Sequence, residues 1–584
     1  MSSMLIRRGA NKIYQQISHN KACIYKINRR CVSTTKAPWQ LPVEKRENVE
    51  KDLTVDGLLK TSSTYLSRHI GPSSSDQSTM LRVVEASNME ELISSAVPDD
   101  IRMTSATSLG SGLDESQMYA HVKELADKNQ VWRSYIGMGY HNCHVPPVIQ
   151  RNVLENPGWI TQYTPYQAEL AQGRLYSLMM FQTMISDLTG LELANASLLD
   201  EGTAAAEGMG MCLRLNKKKK FLIDSRCHPQ TISVVETRAR GLGVEVEVVN
   251  RDVVDFSSGE ISGILVQYPD TNGGVYNMTQ IVENAHSHKA LVVCATDLLS
   301  LTMLVPPGEF GCDIAVGSAQ RMGIPLGYGG PHAGFISTHK KYARSLPGRV
   351  VGLAKDAQGN PAYRLALQTR EQHIRKEKAT SNICTAQALL ANMTALYGAW
   401  HGPEGLRELA SVAHNAATIL SHGVELSNNK QHNEYFFDTL LITPASIADV
   451  TARAAKKEIN LQYLPNNKVI VSLDETVTEN DLNDLLYVFG SPATVADIVE
   501  RYSGDLLEGS FVNTGLHRTS PYLQHAVFNS HHSEAGMVRF LKKLENKDLS
   551  LVHSMIPLGS CTMKLNGTST LLVGAHSSYT GVGQ

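Results

Sequence analysis

From about Trp132 onward, short apolar runs alternate with stretches of helical periodicity: Phe221-Leu222-Ile223-Asp224, Val244 to Val249, Gly263-Ile264-Leu265-Val266, Ala290-Leu291-Val292-Val293 and Asp313-Ile314-Ala315-Val316. Most are apolar at successive positions, which predicts strands buried on both faces and a mostly parallel sheet covered by helices. Upstream, Met80, Val83 and Val84, then Leu92 and Ile93, repeat at helical spacing and predict a helical arm over residues 60–130. Ala386 to Leu396 predicts a strong helix that Gly398 to Gly405 breaks. Strands near Thr439 to Ile442 and Val469 to Ser472, with a helix over Asn480 to Phe489, form a second α/β unit. The expected organisation is a large domain over 131–397 and a small domain over 398–492. Residues 493–566, with a helix near Met537 to Leu544, read as a linker and the start of a second half. Residues 567–584 read as a divergent Gly/Ser/Thr-rich tail. The hexapeptides Ser134 to Gly139 and Ser554 to Gly559 share Ser, Ile and Gly at matching positions, a weak sign of a repeat.

Composition narrows the class. The 584 residues are 42% hydrophobic, enough for sizeable cores, and hold no apolar run near the ~18 residues of a membrane span. Lys+Arg 54 against Asp+Glu 56 leaves no global basic field, so neither nucleic-acid binding nor membrane insertion is expected. The charge is uneven, however. No acid precedes Glu44, while Arg7, Arg8, Lys12, Lys21, Lys26, Arg29, Arg30 and Lys36 are basic. This composition predicts a mitochondrial transit peptide over 1–40, a mature N-terminus between about residues 25 and 45, and a matrix location. The nine cysteines include no C-x-x-C pair, so they read as reduced thiols rather than a metal or disulfide framework.

Candidate chemistry lies where such sheets bind anions, at strand C-termini and the helix N-termini beside them. Asp200-Glu201-Gly202-Thr203 reads as a turn into a helix. Gly202 lets the backbone approach a ligand and Thr203 offers a hydroxyl and an amide to a phosphate, although an ordinary capped helix has the same residues. His228 follows a strand and suits either stacking on a flat ring or a structural turn. Asp297 closes another strand, where a carboxylate holds a protonated ring nitrogen or caps the next element. Gly317 to Pro331 is rich enough in glycine to require a tight, backbone-exposing loop.

This order resembles the large domain of aspartate-aminotransferase-type enzymes that use pyridoxal 5'-phosphate. The expected fold class is therefore α/β, a PLP-dependent transferase fold with a mostly parallel sheet plus a smaller α/β domain. The resemblance implies cofactor contacts at Gly202, Thr203, His228 and Asp297, and a lysine about two dozen residues after the Asp to carry the cofactor as a Schiff base. No lysine occurs between Lys289 and Lys340. Arg321 stands at the expected place, and a guanidinium forms no imine, so no catalytic residue is expected in this chain.

Longer motifs sharpen the resemblance. Gly137 to Pro147 (G-M-G-Y-H-N-C-H-V-P-P), Asn152 to Gln167, Ser318 to Pro331, Tyr363 to Ala391 and Asn546 to Asn566 are similar to the glycine decarboxylase family, the P-protein of the glycine cleavage system. The likeness runs from about Tyr65 to Asn566. It implies a first half plus the start of a second, with the Schiff-base lysine in the second half. The implied reaction is PLP-dependent decarboxylation of glycine with aminomethyl transfer to lipoylated H-protein. The implied assembly is a homodimer or a pairing with the catalytic half. A non-catalytic assembly or regulatory subunit is the alternative reading, and a PLP enzyme using Lys376 or Lys378 is a third. A version ending near Ala493 is expected to pair better with the second half.

Overall fold

The computed structural model describes residues 58–59, 65–69, 71–103, 105, 107–110, 112–161, 165, 167–367, 379, 381, 383, 386–503, 511, 514–554 and 564–574. The expected transit peptide, Lys376, Lys378 and most of the second hexapeptide lie outside them. The chain divides into two units, one up to Asp114 and one from Glu115 onward. In the first, Ser73 and Asp76 form a capping box at the start of the helix Ser74–Val83, and Asn88 caps Met89–Ala96. Neither helix has a buried residue, and Met80, Val83 and Ile93 are exposed. Within the expected arm, Tyr65–His69, Ser74–Val83, Met89–Ala96 and Glu115–Ala126 are helical, and the described residues between 97 and 114 are not.

The second unit opens with the helix Glu115–Ala126 and β1 (Arg133–Ser134). Its main sheet has seven strands: β2 (Leu193–Ala194), β3 (Lys220–Asp224), β4 (Glu245–Val249), β5 (Ile261–Tyr268), β6 (Leu291–Thr296), β7 (Ile314–Ser318) and β8 (Gly334–Thr338). Their order is β2-β8-β7-β6-β5-β3-β4. Strands β3 to β7 pair in parallel, while β8 pairs antiparallel with both β7 and β2 at one side. Every residue of the central β5 is buried, as expected for an apolar run covered on both faces. The edge strand β4 alternates Val with Glu, and Lys220 bridges Glu245 and Glu247 at 3.0 and 2.7 Å, which blunts an otherwise open edge. Beyond β8, β9 (Val350–Lys355) and β10 (Pro361–Ala366) form an antiparallel hairpin that the sequence pattern did not signal.

A long helix, Ala388–Glu425, leads to the smaller lobe. It breaks at Gly402, with φ 66° and followed by Pro403, inside the expected Gly398 to Gly405 stretch, while Gly398 itself stays helical and buried. The smaller sheet is antiparallel, in the order β11 (Lys430–Gln431), β12 (Thr439–Thr443), β15 (Lys468–Ser472), β14 (Gln462–Leu464). β13 (Ile459–Asn460) pairs instead with β1, tying the start of this unit to the small lobe.

The stretch 493–566, expected as a linker and the start of a second half, packs in part into the core of the large lobe. Phe511, Leu523, Phe528, Met537, Leu541 and Leu544 are buried in the same core as the sheet and the helix Gln172–Thr189. Met537, Leu541 and Leu544 come from the helix Glu534–Glu545, where the apolar spacing predicts one, and Phe528 comes from the short 3-10 helix Ala526–Asn529 before it. Of the expected tail, Thr568–Gly574 forms one further helix.

Candidate functional site

The carboxyl ends of β5, β6 and β7 meet the small lobe around a cavity of about 40 Å³. His228, Asp297 and Arg321 line it, together with Met138, Gly139 and Glu201. Gly202 and Thr203 do not line it.

Arg321 lies in the turn after β7 and its side chain is 4% exposed. Its Nη1 donates to Asp297 Oδ2 at 2.7 Å and to Asp438 Oδ2 at 2.7 Å. Asp297 belongs to the large lobe and Asp438 immediately precedes β12, so one guanidinium ties the two lobes together. Burial opposes its charge, but the two carboxylates outweigh burial and hold its pKa above the ordinary value. The guanidinium also lies over the Phe437 ring at 5.6 Å.

The segment Gly137–His144 runs along one side of the cavity. Gln320 accepts from the His141 amide at 3.0 Å and donates to its carbonyl at 2.8 Å. Asp474 and Glu475, after β15, accept from the amides of Asn142 and His144 at 2.9 and 2.7 Å. Gly139 has φ 87°, and a Cβ there would lie 3.1 Å from His228 Nε2, so this backbone already covers the imidazole. His228 Nδ1 bonds the Thr271 hydroxyl at 2.9 Å, and burial lowers its pKa to about 4. His141 is likewise held neutral, by burial first and Arg321 second.

The start of the helix Glu201–Asn216 is occupied by the protein's own groups. Asp200 caps it, accepting from the Thr203 amide at 2.7 Å. Glu201 accepts from the Thr231 hydroxyl at 3.0 Å, and desolvation with Asp200 and Asp297 nearby pushes its pKa up to about 7. Asp438, Glu201 and His141 were not singled out from sequence. Asp438 sits in Phe437-Asp438-Thr439, which carries no local signature, whereas His141 lies within a motif that could have flagged it.

A mostly parallel seven-stranded sheet, a small antiparallel lobe and a cavity at the strand ends between them define an α/β PLP-dependent transferase fold of the aspartate aminotransferase type. Within that class the chain belongs to the glycine cleavage system P-protein family, whose model matches residues 67–489. It is 54% identical over 518 residues to the human mitochondrial glycine dehydrogenase (decarboxylating), covering 88% of this chain and 51% of that protein. The potato enzyme of the same name is 50% identical over 533 residues, again covering 51% of its length. The chain thus spans about half the length of the curated relatives it matches. A crystal structure of glycine decarboxylase (P-protein) in inhibitor-bound form superposes with a TM-score of 0.68 and 34% identity, covering 72% of this chain and 99% of that one.

The family's cofactor is pyridoxal phosphate, and the residues around this cavity do not fit it. Among the described residues, no lysine lines the cavity. Asp297, the expected partner of a protonated ring nitrogen, is engaged by Arg321. The His228 face is covered at Gly139, and the amide a phosphate would take is held by Asp200. Two carboxyl groups at a helix N-terminus repel a phosphate dianion from the place where the helix dipole would attract it.

Proposed function

We propose that this chain is the non-catalytic half of a glycine-decarboxylating P-protein, inactive alone and built to pair with a half that carries the Schiff-base lysine. The observation that carries this reading is Arg321, buried and bonded to two carboxylates where the family's chemistry needs an imine-forming amine. In the paired enzyme the lysine-bearing half binds pyridoxal phosphate, and the cofactor acts there as the electron sink for loss of CO2 from glycine. This half contributes a rigid sheet and an interface. The substrate is glycine, the aminomethyl acceptor is lipoylated H-protein, and the compartment is the mitochondrial matrix, in keeping with the mitochondrial labels of its relatives.

The test is reductive trapping. The chain incubated with pyridoxal phosphate and then borohydride should show no lysine labelled at full occupancy, and no glycine-dependent CO2 exchange with H-protein. A single stoichiometric lysine adduct would overturn the reading. If the chain bound a lysine-bearing half without supporting exchange, it would instead be the assembly subunit.

A further inference from the structure

The cavity holds unmatched polar groups of both kinds. Arg321 Nη2, Gln267 Oε1 and Thr296 Oγ1 have no hydrogen-bond partner, although these residues are 4%, 2% and 1% exposed and all three line the same space. Orphaned buried polar atoms are rare in native interiors, and three around one cavity mark a place for a bound molecule. Any occupant has to accept from a guanidinium and donate to an amide oxygen.

The surrounding charge adds a second condition. Asp297 and Asp438 set two negative charges against the one on Arg321. Asp270, also facing the cavity, is offset by Arg251 at 3.4 Å, whereas Glu201 is met by the Thr231 hydroxyl. His141 and His228 are buried and neutral. The wall is therefore short of positive charge. A bare anion answers Nη2 but worsens the imbalance, and a bare cation corrects it but leaves Nη2 without an acceptor. A zwitterion meets both conditions.

Size sets the third condition. About 40 Å³ is room for roughly three waters, and the His228 side is closed by the Gly139 backbone. That extent suits an amino acid with no side chain. We infer that this cavity is a cofactor-independent binding site for a small zwitterionic amino acid, glycine itself, with its carboxylate at Arg321 and its ammonium toward Gln267 and Glu201. The walls come from β5 and β6 on one side and from Thr439 and Ser472 of the small sheet on the other, so occupancy joins the two lobes. Glycine then stiffens the non-catalytic half when substrate is abundant.

The inference rests on the reading of this pocket as cofactor-free, and the experiment separates the two. The full chain, without pyridoxal phosphate, is titrated with 13C-glycine by saturation-transfer NMR and by thermal melting. Glycine should give saturable transfer and raise the melting midpoint by about 1–3 °C near ten times its Kd. Acetate, methylammonium and trimethylglycine should not, because each lacks one of the required groups, and leucine should be excluded by its side chain. Gln267→Leu and Thr296→Val, which remove the orphaned atoms while keeping bulk, should weaken glycine binding about tenfold and leave the ligand-free midpoint unchanged or higher. No saturable response to glycine, an equal response to acetate or trimethylglycine, or unaltered binding in both variants would overturn the inference. A reducible lysine adduct with pyridoxal phosphate would instead overturn the cofactor-free reading beneath it.

Discussion

Arg321 and its two carboxylates show how little a single substitution would restore. Arg321→Lys keeps a charge and supplies an amine, but it leaves Asp200 on the helix N-terminus and Gly139 against His228. Borohydride trapping of that variant with pyridoxal phosphate should still give no stoichiometric adduct. Arg321→Met should cost about 3–5 kcal/mol in denaturant melts, because it leaves two facing carboxylates without their cation. Glu201 gives the pH dependence. Its pKa is near 7 in the folded chain and lower in the unfolded one, so its contribution is fully present below about pH 4.5 and is lost as pH rises through 7. His228 works the other way, its lowered pKa removing stability as pH falls from about 6.5 toward 4. Glu201→Gln, which retains an acceptor for Thr231, should therefore stabilise the chain by about 1–2 kcal/mol at pH 8 and not at pH 5, read from melting midpoints at the two pH values. At this scale the sequence exposed the strand-end residues His228, Asp297 and Arg321, because strand ends are visible in the apolar pattern. Asp438 stayed hidden because its role depends on a second lobe folding across the first, and Glu201 because its partner Thr231 lies on the helix Pro229–Leu242.

The helix Gln172–Thr189 shows the same limit for whole elements. Its own N-cap, Ala171, provides no side-chain bond, and Asp548 does so from far along the chain. Asp548 accepts from the amides of Gly173 and Arg174 at 2.7 and 3.1 Å and from Arg174 Nε at 3.0 Å. At the other end Arg518 donates to the carbonyls of Leu188 and Asp187, both at 2.8 Å. An anion at the N-terminus and a cation at the C-terminus both complement the helix dipole. Gly173 permits the close approach, since a Cβ there would lie 2.0 Å from the Leu544 carbonyl oxygen. Asp548→Ala should thus destabilise by about 2–4 kcal/mol in urea melts, with Asp548→Asn losing less because one acceptor oxygen remains. No local pattern could have announced this arrangement, because a cap supplied from 374 residues away leaves nothing in the helix's own flanking sequence. β8 was missed for a related reason. Gly334-Phe335-Ile336-Ser337-Thr338 follows a glycine-rich loop directly, and it is read as a strand only once β7 pairs with it. The apolar strands β3, β5 and β6 were legible because burial on both faces needs no partner to be seen.

At the scale of the molecule, the residues after Ala493 decide how the chain should be used to test pairing. A version ending near Ala493 would lose Phe511, Leu523, Phe528, Met537, Leu541 and Leu544 from the core, and deletion of a buried side chain of this kind costs about 2–5 kcal/mol each. It would also lose both end-caps of the helix Gln172–Thr189. Such losses exceed the roughly 5–15 kcal/mol that holds a typical domain folded, so the shortened chain should be insoluble rather than a better partner. A chain ending after Ser554 keeps the core and both caps. Mixed with a separately expressed lysine-bearing half, this longer version should co-elute on gel filtration, raise the melting midpoint and restore glycine-dependent CO2 exchange in the presence of H-protein. Arg321→Met introduced into it should weaken the complex by loosening the lobes while leaving the lysine-bearing half able to take up pyridoxal phosphate. A soluble, fully pairing chain ending near Ala493 would mean that residues 511–548 are dispensable to the core they occupy, and would count against this account of the fold. A monodisperse longer chain that never meets the lysine-bearing half would count against the pairing role.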